Sequence, residues 1–168
     1  IDKYMAASYV LELTEKVIPE EIPQPGIFKL LMEFIVELEK RKAHHLTLEL
    51  AYEIKLLRLL GTFPELNRCT TCGDSKNPEF FSVENGGIMC SNCHEKIKSE
   101  AIESLIFPIN FDIVKVLNYF TSNSLSTFKK IALEDRTANY LQKIIRSYIS
   151  YHLDIKKLKS ESVMDIEV

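Results

Sequence analysis

Cysteine is the residue type with the clearest chemical capacity in this sequence. Cys69, Cys72, Cys90 and Cys93 form two C-x2-C pairs separated by 17 residues. Two residues between thiolates allow a tight turn that directs both sulfurs at one point, and two such turns complete a tetrahedral shell of four sulfurs. Zn²⁺ is commonly held in this way, whereas soft thiolates exclude Mg²⁺ and Ca²⁺. We therefore predict one structural Zn²⁺, because four thiolates leave no open position for catalysis.

The same four thiols could also take part in three other kinds of chemistry. Two disulfides in an oxidised sample, an iron–sulfur centre and a redox C-x2-C are the alternatives. Disulfides are disfavoured in a reducing cytosol, and a redox motif usually has one C-x2-C beside a βαβ pattern. His94 follows Cys93 directly and could replace a ligand, but four thiols already fill the shell. We expect His94 to be an ordinary residue of the first turn of a helix.

The cysteines lie where helical periodicity stops. Phe80 to Val83 is a β-prone run, Asn85-Gly86-Gly87 is a tight-turn signal, and Ile88-Met89 would be the return strand. Elsewhere, apolar residues recur every three or four positions, which predicts helices. These helices are expected over residues 2–18, 28–38, 47–60, 94–104, 111–120 and 135–153.

We therefore expect a mainly α-helical bundle with an inserted small zinc-ribbon-like β-hairpin module. The helical domain would comprise residues 1–65 and 95–160, and the four-cysteine zinc module residues 66–94. Residues 161–168 would be a frayed acidic tail. The helix over 47–60 is apolar almost all round, so it should lie at the centre of the core. Gly61 is well placed as its left-handed C-terminal cap.

Composition excludes several classes of function. The chain has 168 residues and a net charge of −3, so it is not basic as a whole. No apolar run is long enough to cross a bilayer, and no signal-peptide pattern is present. A start at Ile1 suggests a fragment of a longer protein. We find no catalytic motif and expect no enzyme; Glu33 with Glu37, at helical spacing, indicates a solvated face.

One basic stretch, residues 136–160, is a candidate contact region for DNA phosphates or for an acidic partner tail. The alternative is the solvated face of a terminal helix. Phe80 and Phe81 could stack on bases, but we expect them to pack under the zinc site or on a helix; His44-His45 is not expected to bind metal. The candidate contacts are Arg136, Lys143, Arg146, Lys156, Lys157 and Lys159.

Two segments flanking the cysteine pairs resemble the bacterial recombination protein O family. Leu59 to Gly73 reads LLGTFPELNRCTTCG, and this is similar to the family's Leu-Gly helix end, aromatic-Pro-x-Leu step and Cys-x-x-Cys-Gly. Phe81 to Cys93 resembles its Phe-Ser, Gly-Gly and Cys-x-x-Cys segment. Arg146 to His152 is similar to the last helix of the family. The resemblance is most specific over residues 57–93.

The resemblance implies a non-enzymatic recombination mediator of DNA repair, in the RecF pathway. Such a protein binds and anneals DNA and, with RecR, helps load RecA on single strands coated by single-strand-binding protein (SSB). It implies docking of the acidic SSB tail on the helical domain, and DNA binding mainly through an N-terminal OB-fold that this sequence lacks. We expect a cytoplasmic, nucleoid-associated bacterial protein with no membrane and no small-molecule substrate.

Two rival functions share the thiols. A generic zinc-ribbon adaptor of another nucleic-acid process, for example transcription, would have the zinc module without the family signature. A thiol-based redox enzyme would have accessible thiols of low pKa.

Overall fold

A computed structural model describes residues 2–75, 78–97 and 105–164. The chain is mainly helical with one small sheet, which confirms the predicted fold class. The helices are α1 (Asp2–Val17), α2 (Pro25–Lys40), α3 (His45–Leu59), α4 (Ser91–His94), α5 (Phe111–Ser122), α6 (Asp135–Leu153) and α7 (Lys159–Met164), with a 3₁₀ helix at Leu125–Lys130. The strands are β1 (Phe80–Ser82), β2 (Gly87–Met89) and β3 (Ile106–Pro108).

Helix α3 is the centre of the core, as its sequence predicts. It packs against α1, α2, α5 and α6, and residues on all its sides are buried. Leu48, Ala51 and Ile54 have no exposed surface. After α3 the chain turns at Gly61, whose φ of +74° is the expected left-handed conformation. This turn sends the chain out of the helical core towards the first cysteine pair.

The sheet is antiparallel, with strand order β2-β1-β3. The hairpin of β1 and β2 confirms the prediction, and Gly86 in its turn has φ of +76°. The third strand lies between the helices predicted over 94–104 and 111–120, where the sequence pattern predicts no strand. Phe81 pairs with Phe107 across β1 and β3. A three-residue strand that ends in proline has too little alternation to be recognised in the sequence.

Gly87 lies where a third backbone segment meets the hairpin. Ile88 N–H donates to the Glu65 carbonyl at 2.9 Å, and Glu65 N–H donates to the Gly86 carbonyl at 2.9 Å. A Cβ at position 87 would lie only 2.2 Å from the Glu65 carbonyl oxygen. Glycine is therefore required here by the close approach of the segment that leads to Cys69.

The two faces of the sheet pack against different partners. Phe81 and Ile88 belong to the main hydrophobic core, and Phe81 meets Tyr148 of α6 edge to face at 5.8 Å between ring centroids. Phe80 and Met89 instead pack with the cysteines in a second, smaller cluster. Side chains along β1 and β2 point alternately to the two faces of the sheet. The same strands therefore contact the helical core on one face and the thiol cluster on the other.

Helix α2 differs from its expected amphipathic pattern. Glu37 is buried and its carboxylate pairs with Lys40 Nζ at 3.1 Å, so it does not belong to a solvated face. Apolar side chains at a spacing of four, Phe28, Met32 and Val36, are exposed instead. The expected face is rotated because α2 packs on α1, α3 and the 3₁₀ helix together.

Arg41, which directly follows α2, is a buried cation. Its guanidinium donates to the carbonyls of Ala43 and His44 and, across the fold, to those of Phe128 and Ile131. It therefore fixes the 3₁₀ helix and the loop that precedes α6.

The end of the described chain docks on α1. Leu158 is buried, and the Glu12 carboxylate accepts from the backbone N–H groups of Lys159 and Ser160 at 2.8 and 2.9 Å. The segment expected to be frayed is thus helical up to Met164, while 165–168 lie outside the described residues. Of the helix expected over 94–104, residues 98–104 also lie outside them.

Candidate functional site

The four cysteine sulfurs converge on one point. Their Sγ atoms all lie within 4.8 Å of one another, and those of Cys72 and Cys90 are 3.7 Å apart. A disulfide needs about 2.05 Å, so the thiols are unlinked. Four sulfurs placed tetrahedrally at about 2.3 Å from an ion would lie about 3.8 Å apart. The arrangement can therefore hold one metal ion, and its all-sulfur donor set fits Zn²⁺.

Backbone turns aim these sulfurs. In the first pair, Gly73 N–H donates to the Cys69 carbonyl at 2.8 Å, and Cys69 N–H donates to the backbone carbonyl of Asp74 at 2.7 Å. Gly73 has φ of +78°, which closes the turn after the second thiol. In the second pair, Cys93 N–H donates to the Cys90 carbonyl at 3.1 Å as α4 begins. The two pairs are joined directly, since Cys90 N–H donates to Cys69 Sγ at 3.5 Å.

The thiols ionise unequally before any cation binds. Burial raises the pKa of Cys69, but N–H groups of Cys72, Cys90 and Thr71 outweigh it and lower that pKa to about 6. Burial and the neighbouring sulfurs raise the pKa of Cys93 to about 12. The difference arises mainly because N–H groups stabilise the Cys69 thiolate, whereas burial disfavours the Cys93 thiolate and repulsion from Cys69 adds to this. A divalent ion would favour all four thiolates and release their protons.

The aromatic residues of the module pack rather than project. Phe80 stacks on the His94 ring with 3.9 Å between centroids and 14° between planes. Among the described residues, the group suited to a metal contains the four cysteines and does not include His94. The Nδ1 atom of His44 lies 3.8 Å from Oδ1 of Asp135. Phe80 and Phe81 pack on His94 and Tyr148, in agreement with the packing expected of them. His94 is the last residue of α4, so the expectation that it begins a helix is wrong.

An apolar groove of about 800 Å³ lies between α5 and α6. Its floor is formed by side chains such as Ile113, Val116 and Tyr140. The Tyr140 hydroxyl donates to the Pro108 carbonyl at 2.7 Å, which fixes the ring beside β3. Two exposed cations on α6, Arg136 and Lys143, border the groove. They are seven residues apart, two helical turns, and therefore share a face.

The other candidate cations lie elsewhere. Arg146 is largely buried: its guanidinium lies 4.4 Å from the Tyr9 ring centroid and 3.2 Å from the Glu161 carboxylate. Lys156 lines a small cavity beside Arg146, and Lys159 is the first residue of α7. The structure thus brings Arg136 and Lys143 together and separates them from the C-terminal lysines, which include the exposed Lys157.

Sequence reasoning missed a buried acidic pair on α3. Burial raises the pKa of Glu49 to about 7, against attraction to Arg146. Burial also raises the pKa of Glu53 to about 7, although a hydrogen bond from Tyr9 and attraction to Arg146 oppose the rise. Two carboxylates within the most buried part of α3, together with Arg146 far along the chain, are the signal that could have revealed the network. It connects α1, α3 and α6 and is internal.

None of the helices in the described ranges combines the length and apolarity needed to cross a bilayer.

Comparisons with known proteins agree with the geometry. The profile of the family described as "Recombination protein O C terminal" matches residues 1–162. Proteins named DNA repair protein RecO are similar: that of Alkaliphilus metalliredigens is 32% identical over 149 residues, covering 88% of this chain and 58% of that protein. That of Thermoanaerobacter sp. is 25% identical over 165 residues, covering 98% of this chain and 64% of that protein.

A third relative, DNA repair protein RecO of Dehalococcoides mccartyi, is 31% identical over 150 residues, covering 88% of this chain and 56% of that protein. The chain thus spans less than two thirds of the length of these relatives. With the profile match over residues 1–162, the chain belongs to the recombination protein O family of DNA repair proteins and corresponds to its C-terminal part.

Proposed function

We propose that this chain is the helical and zinc-binding part of a non-enzymatic recombination mediator. The whole protein would bind and anneal DNA and, with RecR, help load RecA on SSB-coated single strands in the bacterial cytoplasm. Family membership supports this role. The observation that carries the contribution of this chain is the apolar groove between α5 and α6 with its two bordering cations.

The groove would dock the acidic tail of SSB. A tail that ends in phenylalanine offers one ring and several carboxylates. The ring would enter the apolar floor at Ile113 and Val116, and Arg136 and Lys143 would attract the carboxylates. Asp112 also lines the groove, but its carboxylate lies 3.7 Å from Lys115 Nζ, which offsets its repulsion. The groove volume is within the range of pockets that take a small apolar anchor.

A labelled peptide ending in acidic residues and phenylalanine tests the docking by fluorescence polarisation. The double variant R136Q/K143Q should weaken binding by about tenfold, since two partly exposed ion pairs are lost. The double variant K16Q/K42Q is the matched control, because it removes the same charge from exposed lysines outside the groove. No saturable binding up to about millimolar peptide, or an equal loss in both variants, would refute the docking.

The four thiolates would hold one Zn²⁺ that stabilises the hairpin module over residues 66–94. Few large apolar groups are available there, and the metal would supply the missing folding free energy. No open ligand position remains, so the ion would not take part in turnover.

Metal analysis should find about one zinc per chain, and Co²⁺ substitution should give the visible bands of a tetrahedral thiolate site. All four thiols should resist alkylation until a chelator is added. Rapid modification of one thiol in the metal-loaded chain would instead favour the redox alternative.

A further inference from the structure

A second cleft, of about 440 Å³, lies where α2, α3 and α5 meet. Three cations line it: Lys29 of α2 and Lys55 and Arg58 of α3. Glu33 is the one carboxylate among its lining residues. None of these residues borders the groove between α5 and α6. The cleft therefore has a net positive charge in a protein whose net charge is −3.

The cations converge because of helix geometry. Lys55 and Arg58 are three residues apart and share one face of α3. Gly26, at the start of α2, lies beside Leu59 at the end of α3; a Cβ at position 26 would make an ordinary 3.4 Å contact with the Leu59 side chain. This packing places Lys29, in the second turn of α2, in the same cleft as the α3 cations. The positive end of the α2 dipole has the same sign.

The negative charge in the cleft is shared between a cleft lysine and a backbone donor outside the cleft. Glu33 Oε1 accepts from the Ser126 N–H at 3.2 Å, at the start of the 3₁₀ helix. In the described ranges, Lys29, Lys55 and Arg58 form no ion pair with a carboxylate. Burial lowers the pKa of Lys55. The nearby Glu33 carboxylate acts to raise that pKa, and the positive charge of Arg58 acts to lower it. Three like charges held together in a half-open cleft favour an anion that can contact all of them.

We propose that this α2/α3 cleft binds consecutive phosphates of a single-stranded nucleic acid. Arg58 can bind a phosphate through two N–H groups, and the two lysines act as point charges on it or its neighbour. Leu59, half exposed at the rim, offers an apolar contact for a sugar or base edge. Phe28, 64% exposed and adjacent to Lys29, offers a face on which a base can stack.

A strand fits this cleft better than an acidic peptide does. The cleft is smaller and more highly charged than the groove between α5 and α6, and among its lining residues only Leu30 and Leu59 offer a large apolar side chain to a phenylalanine ring. The site is separate from that groove and does not depend on it.

Binding of a labelled oligo(dT) to the metal-loaded chain, measured over a salt series, tests the site. Each phosphate contact contributes about 0.7 to the slope of log K against log salt, so K29Q/R58Q should reduce the slope by about 1.4. The same relation predicts a loss of about eightfold for each cation at about 50 mM salt. The single variant K55Q should reduce the slope by about 0.7. K16Q/K42Q, with the same change of charge, should leave the slope unchanged.

The outcomes separate this site from the docking groove. Loss of oligonucleotide binding in K29Q/R58Q with unchanged binding of the acidic, phenylalanine-ended peptide supports the strand site. Loss of peptide binding in K29Q/R58Q makes the cleft a peptide site and overturns the proposal. Equal slopes in K29Q/R58Q and K16Q/K42Q overturn it as well. Competition by inorganic phosphate without a slope change would identify a site for a small anion and also overturn it. Thermal unfolding of each variant checks that it is folded.

Discussion

Replacing Gly87 by alanine is the sharpest test of how the cysteine module is attached. The new Cβ would lie 2.2 Å from the carbonyl oxygen of Glu65, 2.8 Å from its nitrogen and 3.0 Å from its carbonyl carbon. These are backbone atoms, so no flexible side chain can move aside. Either the Glu65 segment separates from β2, or the hairpin shifts as a unit.

The cost follows from the contacts at risk. Separation removes the hydrogen bonds that join Glu65 to Gly86 and Ile88, both 2.9 Å long. Each such bond contributes about 1 kcal/mol, and overpacking adds about 1–3 kcal/mol. We expect Gly87→Ala to lower the free energy of unfolding by about 3–5 kcal/mol. For a chain of this size that corresponds to a fall in Tm of about 6–20 °C.

Urea and thermal unfolding of the metal-loaded protein, followed by circular dichroism, measure this loss. Gly26→Ala is the matched control, because its Cβ would meet only the Leu59 side chain at 3.4 Å within helix α2. That substitution should be neutral or stabilise by up to about 1 kcal/mol. If Gly87→Ala unfolds within about 1 kcal/mol of Gly26→Ala, the close approach does not constrain the fold and the reasoning fails.

Three further substitutions test other contacts. Since burial raises the pKa of Glu49 to about 7, the folded protein holds its proton longer than the unfolded one, and stability falls as the pH rises from about 4.3 to 7. Glu49→Gln should remove that fall and stabilise the protein by about 1–3 kcal/mol at about pH 8, with no gain near about pH 4, in urea titrations. His152 Nε2 lies 2.7 Å from the Val83 carbonyl oxygen. His152→Ala should therefore lower the free energy of unfolding by about 1–2 kcal/mol and speed amide hydrogen exchange in the hairpin. Unchanged exchange would contradict a stabilising contact between α6 and the hairpin. Glu12→Ala removes the carboxylate that caps α7 and should lower the free energy of unfolding by about 1 kcal/mol. Limited proteolysis should then cut α7 faster, whereas equal cutting rates in the two proteins would show that the cap is unimportant.

The sequence predicts what depends on local pattern. The spacing of the cysteine pairs predicts their convergence, the Asn-Gly-Gly turn predicts the β1–β2 hairpin, and the apolar run over 47–60 predicts the central helix. Each of these signals lies within about 25 residues of chain and needs no knowledge of distant partners. The closed all-sulfur shell follows from the thiols alone.

Long-range features escape such prediction. Strand β3 is defined by pairing with β1, more than 20 residues earlier, and its own three residues carry no period. The buried state of Glu37 and Glu49 depends on which neighbours cover α2 and α3. Arg146 was interpreted as a surface cation because it lies in a basic stretch, yet the Tyr9 ring and Glu161 enclose it. The spacing of residues shows which of them share one face of a helix. Only the tertiary contacts show which neighbour packs on that face.

The two-faced sheet has a consequence for metal affinity. Ile88 packs into the helical core, whereas Met89, the next residue, packs on the cysteines. A one-residue slip of β2 would exchange these two side chains and misplace Cys90 at the same time. Binding of the proposed ion and closure of the helical core would therefore select the same register, and each would strengthen the other. A change such as Ile88→Ala, in a side chain of the helical core, should then raise the dissociation constant for the proposed zinc ion.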